Sequence, residues 1–178
     1  MSAVISFNRI RKTLVGCVLC FPLTVCAQSQ LDSLRKQIDR DIWIPFLQGI
    51  NTNNADLYNS VHSKDFHWVA GGNKTRIMDL PAYIEDAAKV MTDRKNKGIQ
   101  TIVDVAFLER NLNETFASEK CVTRYTAIEP GKEPLVMYGI AQVFSRKVEG
   151  IWKKCIQYVS TEKASKELFE QASPLQKS

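Results

Sequence analysis

The chain of 178 residues carries 24 Lys and Arg against 19 Asp and Glu, a formal charge of +5, with 44% hydrophobic residues. That length and apolar content suit one domain with a buried core of its own. Three of the basic residues fall in the first 27 positions, which leaves 21 against 19, or +2, beyond them. The basic surplus is thus largely a property of that segment, and no basic patch interleaved with aromatics follows it, so nucleic acid is excluded as the expected partner.

In residues 1–27, Arg9, Arg11 and Lys12 form a basic front, Leu14 to Phe21 an apolar centre and Val25-Cys26-Ala27 a small-residue cleavage site before Gln28. The pattern predicts a secretory signal peptide and an exported protein, periplasmic or secreted. A lipid anchor on Cys26 is the second reading. The apolar run from Leu14 to Ala27 is shorter than the roughly 20 residues of a spanning helix, so no membrane span is expected. Only Cys121 and Cys155 lie beyond the leader, in no CxxC or zinc-like spacing, and neither metal nor cofactor is expected.

From Leu31 to Ile50, apolar residues at helical spacing (Leu31, Leu34, Ile38, Ile42, Phe46, Ile50) predict a long amphipathic helix, interrupted at Pro45, which has no amide to bond Asp41. A short helix over 56–62 follows. Asp65 to Val69 alternates as a strand and pairs through Gly71-Gly72-Asn73 with a short strand over 75–78. Asp79 caps a helix with Pro81 in its first turn and Leu80, Tyr83, Ile84, Ala87, Ala88 and Met91 on one face, stopped at Gly98. Alternation then predicts strands over 99–110, 114–129, 134–147 and 150–161, joined by hairpin turns. The tail, 162–178, carries a possible helix over 162–172.

This order predicts an α+β fold: a cone-shaped, strongly bent antiparallel (mixed) sheet closed by N-terminal helices. The element order and the stretches DFHWVAGGNKTRIMDLPAYI and YTAIEPGKEPLVMYGIAQVFSRKVEGIWKKCIQYVST resemble the nuclear transport factor 2-like (NTF2-like, cystatin-like) superfamily, in particular its SnoaL-like branch. The resemblance covers about residues 31–161, so the domain is placed at 28–161. It specifies a fold that hosts many chemistries and does not specify an activity.

Symmetric turns fix an expected register. Partners on the second and third long strands sum to 263, those on the third and fourth to 299, and those on the first and second to 224. One face then carries Asp104, Lys120, Arg124, Gly139, Ala141, Trp152, Lys154 and Tyr158, a mix of polar and small residues suited to a cavity. The other carries Val105, Phe107, Cys121, Tyr125, Tyr138, Ile140, Phe144 and Cys155. The resemblance implies that the first face is concave, because many relatives place an inward His where this chain has Tyr158. A Tyr there is a hydrogen-bonding aromatic, not a base near neutrality.

Three functions are compatible with this reading. The first is binding of a small, partly apolar ligand in the cone, with Trp68, Lys120, Arg124, Trp152 and Tyr158 lining it and no catalysis. The second is an isomerase, dehydratase or hydrolase using Asp104 as general base, the device the resemblance associates with ketosteroid isomerases; the competing reading pairs Asp104 with Lys120 across the strands. The third is a homodimer through the outer face bearing Tyr138, Ile140, Phe144 and Tyr125, as in many relatives. His62 and His67 lack a third ligand for a metal and read as satisfied or surface residues. Cys121 and Cys155, sharing a face two strands apart, are too distant to bridge and are expected as free thiols.

Overall fold

The interruption at Pro45 is built as a widened turn and leaves no break. In the computed structural model, which describes residues 21–72 and 75–175 with side chains from residue 28, helix α1 (Phe21–Ile38) runs into a π-helical turn (Asp39–Trp43) and on into α2 (Ile44–Asn51). Ile44 N–H donates to Asp39 O, and Pro45 sits in the first turn of α2, where a missing amide costs nothing. The apolar stripe stays in phase through the turn, and Leu34, Ile38, Ile42 and Phe46 are all buried. The signal-peptide reading falls mostly outside the described residues, and α1 runs through the expected cleavage point after Ala27.

Asn54 caps α3 (Ala55–Ser60) by accepting from Leu57 N–H at 3.0 Å. Strand β1 (His62–Ala70) pairs with β2 (Arg76–Asp79), and Asp79 caps α4 (Leu80–Asn96) by accepting from Ala82 N–H at 3.1 Å. Gly98, at φ +65°, ends that helix in the left-handed region. The long strands are β3 (Gln100–Leu112), β4 (Phe116–Ile128), β5 (Leu135–Val148) and β6 (Ile151–Ser160). The tail adds α5 (Lys166–Gln171) and a two-residue β7 (Ser173–Pro174). The sheet order is β2-β1-β6-β5-β4-β3-β7, antiparallel except where β1 runs parallel to β6.

All three expected registers are corrected, each by the chemistry of its turn. In the β3–β4 hairpin the Asn113 carboxamide accepts from Thr115 N–H (3.0 Å) and Phe116 N–H (2.9 Å), so the chain reverses later than a symmetric turn at Asn111-Leu112-Asn113 would place it. Asp104 therefore faces Arg124, not Lys120. In the β4–β5 hairpin, Lys132 N–H bonds Glu129 O at 3.1 Å around Pro130-Gly131, with Gly131 at φ +76°, and Glu133-Pro134 are left over on the return side. Gly139 consequently faces Thr123, and Ala141 faces Cys121. In the β5–β6 hairpin Glu149-Gly150, both at positive φ, give the expected pairing as far as Ser145 and Lys154. A bulge at Cys155 then moves Tyr158 opposite Gln142.

A one-residue slip exchanges the two faces of a strand. The face that meets the helices thus carries Val105, Phe107, Ala117, Cys121, Ala141, Val143 and Trp152, packed with Trp43, Phe46, Tyr58, Phe66, Tyr83 and Met91. The outer face carries Asp104, Lys120, Arg124 and Tyr158. The expectation that Arg124 and Tyr158 turn inward is reversed. Cys121 is buried inside and Cys155 lies on the outer side at the bulge; both are free, but because they are on opposite faces and not for the expected reason.

Candidate functional site

Most of the cone is filled by core side chains, and among the described residues a cleft of about 250 Å³ opens between α4 and the sheet. Phe46 and Ile50 of α2, Tyr58 of α3, Tyr83, Ala87, Met91 and Arg94 of α4, Val103 of β3, and Thr123 and Tyr125 of β4 line it. The local sequence explains the convergence. Asn54 starts α3 at the point that carries Tyr58 under α2, where Gly49 has no side chain to block it: a Cβ there would lie 2.5 Å from Tyr58 N. The 3.6-residue period of α4 sets Tyr83, Ala87 and Met91 on one face.

The polar groups of the cleft are few. The hydroxyls of Tyr58 and Tyr83 hydrogen-bond each other, and both rings are buried. Burial pushes the Tyr58 phenol up to about 12 and raises that of Tyr83 as well, so both are neutral proton donors across the physiological range. In such a pair one hydroxyl hydrogen is engaged and the other is free for an acceptor. Among the lining residues the Arg94 guanidinium lies over the Tyr125 ring at 5.2 Å, and outside the lining Trp68 lies against Tyr83 with centroids 6.1 Å apart.

Behind the phenols is His62, ringed by Phe66 (4.3 Å between centroids), Tyr83 (5.2 Å) and Tyr58 (5.6 Å). Its Nδ1 is 3.3 Å from Asn59 O, which assigns the proton to Nδ1, and the buried Nε2 has no partner among the described residues. Burial, reinforced by the charge of Lys154, lowers its pKa to about 3. It is therefore neutral, and too weak a base to take a proton near neutrality.

Lys154 sits beside His62 in the parallel β1–β6 pairing and is fully buried. Its Nζ lies 3.1 Å from the Phe46 ring centroid and 4.7 Å from that of Trp43, and it donates to Gln157 Oε1 at 3.2 Å. Burial brings its pKa down to about 7, with Cys121 and Glu119 pulling weakly the other way. The Glu119 carboxylate is committed elsewhere. It accepts from Arg110 Nε (2.7 Å) and Trp43 Nε1 (2.9 Å), while Arg110 Nη2 reaches Asp39 at 2.6 Å.

The structure does not bring the residues expected from the sequence together. Asp104 and Arg124 form an ion pair at 2.8 Å on the outer face, with the Phe169 ring of α5 4.9 Å from the guanidinium. Lys120 is exposed on that face, and Tyr158 is 37% exposed there, its ring against Gly71. Trp152 is inward but fully buried in the core, so it lines no opening. Trp68 lines no opening either; its ring lies 6.1 Å from that of Tyr83, a residue of the cleft wall. Nothing in the sequence sets Tyr58 and Tyr83 apart from other aromatics on helix faces, and His62 reads there as a satisfied or surface residue. Lys154 had a legible signal, since it alternates with the buried Trp152. Among the described residues no cluster of three metal-ligating side chains occurs, and no helix is long and apolar enough to cross a membrane.

No family model matches the sequence, and no curated protein matches it. Solved structures do. A scytalone dehydratase-like protein from Novosphingobium aromaticivorans superposes with a TM-score of 0.63 at 16% identity, covering 85% of this chain and 99% of that one. An NTF2-like protein with a cystatin-like fold from the same organism gives 0.63 at 11% identity, covering 84% and 96%. A type 2 hexachlorocyclohexane dehydrochlorinase (LinA) gives 0.59 at 15% identity, covering 78% and 91%. The fold is thus that of the nuclear transport factor 2-like proteins, as the sequence resemblance implied.

Proposed function

We propose that the protein is an exported binding domain for a small, partly apolar molecule bearing an acceptor oxygen, held between α4 and the sheet. The observation that carries this reading is the Tyr58–Tyr83 hydroxyl pair in an aromatic cleft. One phenol hydrogen is available to a carbonyl or ether oxygen, and the histidine behind the pair is too weak a base to drive proton abstraction. At about 250 Å³ the cleft is smaller than the roughly 300–1,000 Å³ of drug-sized sites, which points to a single-ring ligand. Export rests on the basic–apolar–small pattern of residues 1–27.

The test is a titration with acetophenone, read by thermal shift and tyrosine fluorescence. Saturable binding is expected in the wild type, with loss in Ala87→Trp, which fills the cleft from α4, and weakening of about tenfold in Tyr83→Phe, the value of one hydrogen bond. Asp104→Asn and Tyr158→Phe, on the outer face, should leave affinity unchanged. Equal binding in Ala87→Trp and wild type would refute the site.

The relatives named above include enzymes, but the version of catalysis built on Asp104 has lost its geometry, because that carboxylate is salt-bridged on the far side of the sheet. A self-association reading is favoured by a separate observation: Phe116, Ile156 and Tyr158 are exposed together with the half-buried Phe144 on the outer face. Sedimentation as a monomer at micromolar concentration would reject it.

A further inference from the structure

We propose that Lys154 is a reactive amine behind the inner wall of the cleft, which condenses with an aldehyde or ketone admitted past the Phe46 ring to form an imine. The inference rests on the cleft as a binding site and adds the chemical class of its ligand, a carbonyl compound.

Three features of the packing support it. The first is the absence of an acid: among the described residues no carboxylate lies within ion-pair distance of Nζ, and the one polar contact is the neutral Gln157. Glu119, on β4 two strands away, is held by Arg110 and Trp43, and the other titratable groups around the amine are His62 on β1 and Cys121 on β4, both neutral in this environment. The π turn and α2 present only the Trp43 and Phe46 rings. The amine is thus desolvated without being locked into a salt bridge, the environment that leaves a lysine lone pair available.

The second feature is position. Phe46 lines the cleft and also lies directly against Nζ, so a single aromatic side chain closes the amine off from the cleft, and condensation requires that ring to turn aside. The third is the Tyr58–Tyr83 pair, which stacks on Phe46 through Tyr58 (5.0 Å) and offers a hydrogen to the carbonyl oxygen. Hydrogen bonding there draws electron density from the carbonyl carbon. Attack by the neutral amine forms the C–N bond. Both amine hydrogens then leave with the carbonyl oxygen as water, and a neutral C=N bond remains, with no oxidant or reductant consumed.

The experiment is trapping with benzaldehyde and cyanoborohydride at about pH 6.5, which delivers hydride to the imine carbon and a proton to nitrogen, followed by peptide mass spectrometry. A surface lysine with a pKa near 10.4 has only about one part in ten thousand of its amine neutral at that pH. Lys154 is expected to be benzylated at least tenfold faster than the exposed Lys89 and Lys132. Phe46→Ala should accelerate labelling at Lys154 and leave Lys89 unchanged. Parallel thermal shift with benzaldehyde alone reports on the cleft itself. Binding with Lys154 unlabelled in both wild type and Phe46→Ala would overturn the amine and leave the cleft standing. Labelling of Lys154 unaffected by Ala87→Trp would support the amine and overturn the cleft as its route.

Discussion

Replacing Lys154 by methionine should stabilise the protein at neutral and mildly acidic pH. An amine whose pKa falls from 10.5 in the unfolded chain to about 7 in the fold pays for burial whenever it is charged. Each unit corresponds to about 1.4 kcal/mol, so the full penalty is on the order of 5 kcal/mol. Against this stand the attraction of the ammonium to the Phe46 and Trp43 rings, about 2 kcal/mol when desolvated, and the bond to Gln157, about 1 kcal/mol. Methionine is similar in length and apolar, and leaves roughly 2 kcal/mol of net gain below pH 7. For a domain of this size that is a rise of about 4–8 °C in Tm.

The sign of the pH dependence follows from proton counts. Between pH 7 and 10.5 the unfolded chain holds a proton on this lysine that the folded chain has lost, so the wild type becomes more stable as pH rises through that window. The penalty is complete below the folded value and gone above the unfolded one. The difference between Lys154→Met and wild type should therefore be most favourable to the variant near pH 6.5 and should fall by about 4 kcal/mol by pH 10, turning from a gain into a loss. Urea unfolding followed by tryptophan fluorescence across that range measures it. A variant less stable than wild type at about pH 6.5, or a difference that does not change with pH, would refute the claim that the amine is buried without a compensating acid.

Two more predictions concern neighbouring groups. His62, held near 3 by burial and by Lys154, contributes a penalty fully present below that pH and absent above 6.5, so stability should fall as pH drops from about 6.5 toward 3. His62→Phe should flatten this slope in acid unfolding, and an unchanged slope would assign it elsewhere. Arg110 holds two carboxylates, Glu119 with no exposure and Asp39 nearly so, and Arg110→Met should cost about 3–5 kcal/mol by leaving both unpaired. Adding Glu119→Gln should restore part of that loss in denaturant titrations, and a double variant no better than the single one would show that the pairing is not what the guanidinium supplies.

The fold was readable from the chain because its evidence is local. Helical spacing over Leu34, Ile38, Ile42 and Phe46, the Asp79 cap with Pro81, and sixty residues of alternation each fix an element without reference to the others. Even the Pro45 break was legible in position, though not in form, since a π turn keeps the stripe in phase where a kink would have rotated it. The site was harder because a pocket depends on which face of each strand turns inward, and that depends on the parity of every register. A single leftover residue in Glu133-Pro134 moves Ala141 from Val122 to Cys121, and the bulge at Cys155 moves Tyr158 off Ala141.

The errors are therefore correlated. Asp104, Lys120, Arg124 and Tyr158 did share a face, as expected, but its sense was inferred from the position of Tyr158 in relatives, and the bulge and the turn asymmetry invert that sense. Composition offers an internal check that needs no structure. A concave face closed by an apolar helical stripe must itself be mostly apolar, because each unpaired charge buried there costs several kcal/mol. Val103, Val105, Phe107, Cys121, Ala141 and Val143 meet that condition, whereas Asp104, Lys120 and Arg124 do not. On that criterion Glu119 and Lys154 both stand out, as charges that the alternation with Cys121 and with Trp152 forces into the core, and because Glu119 is paired with Arg110 it is at Lys154 that a site is to be sought.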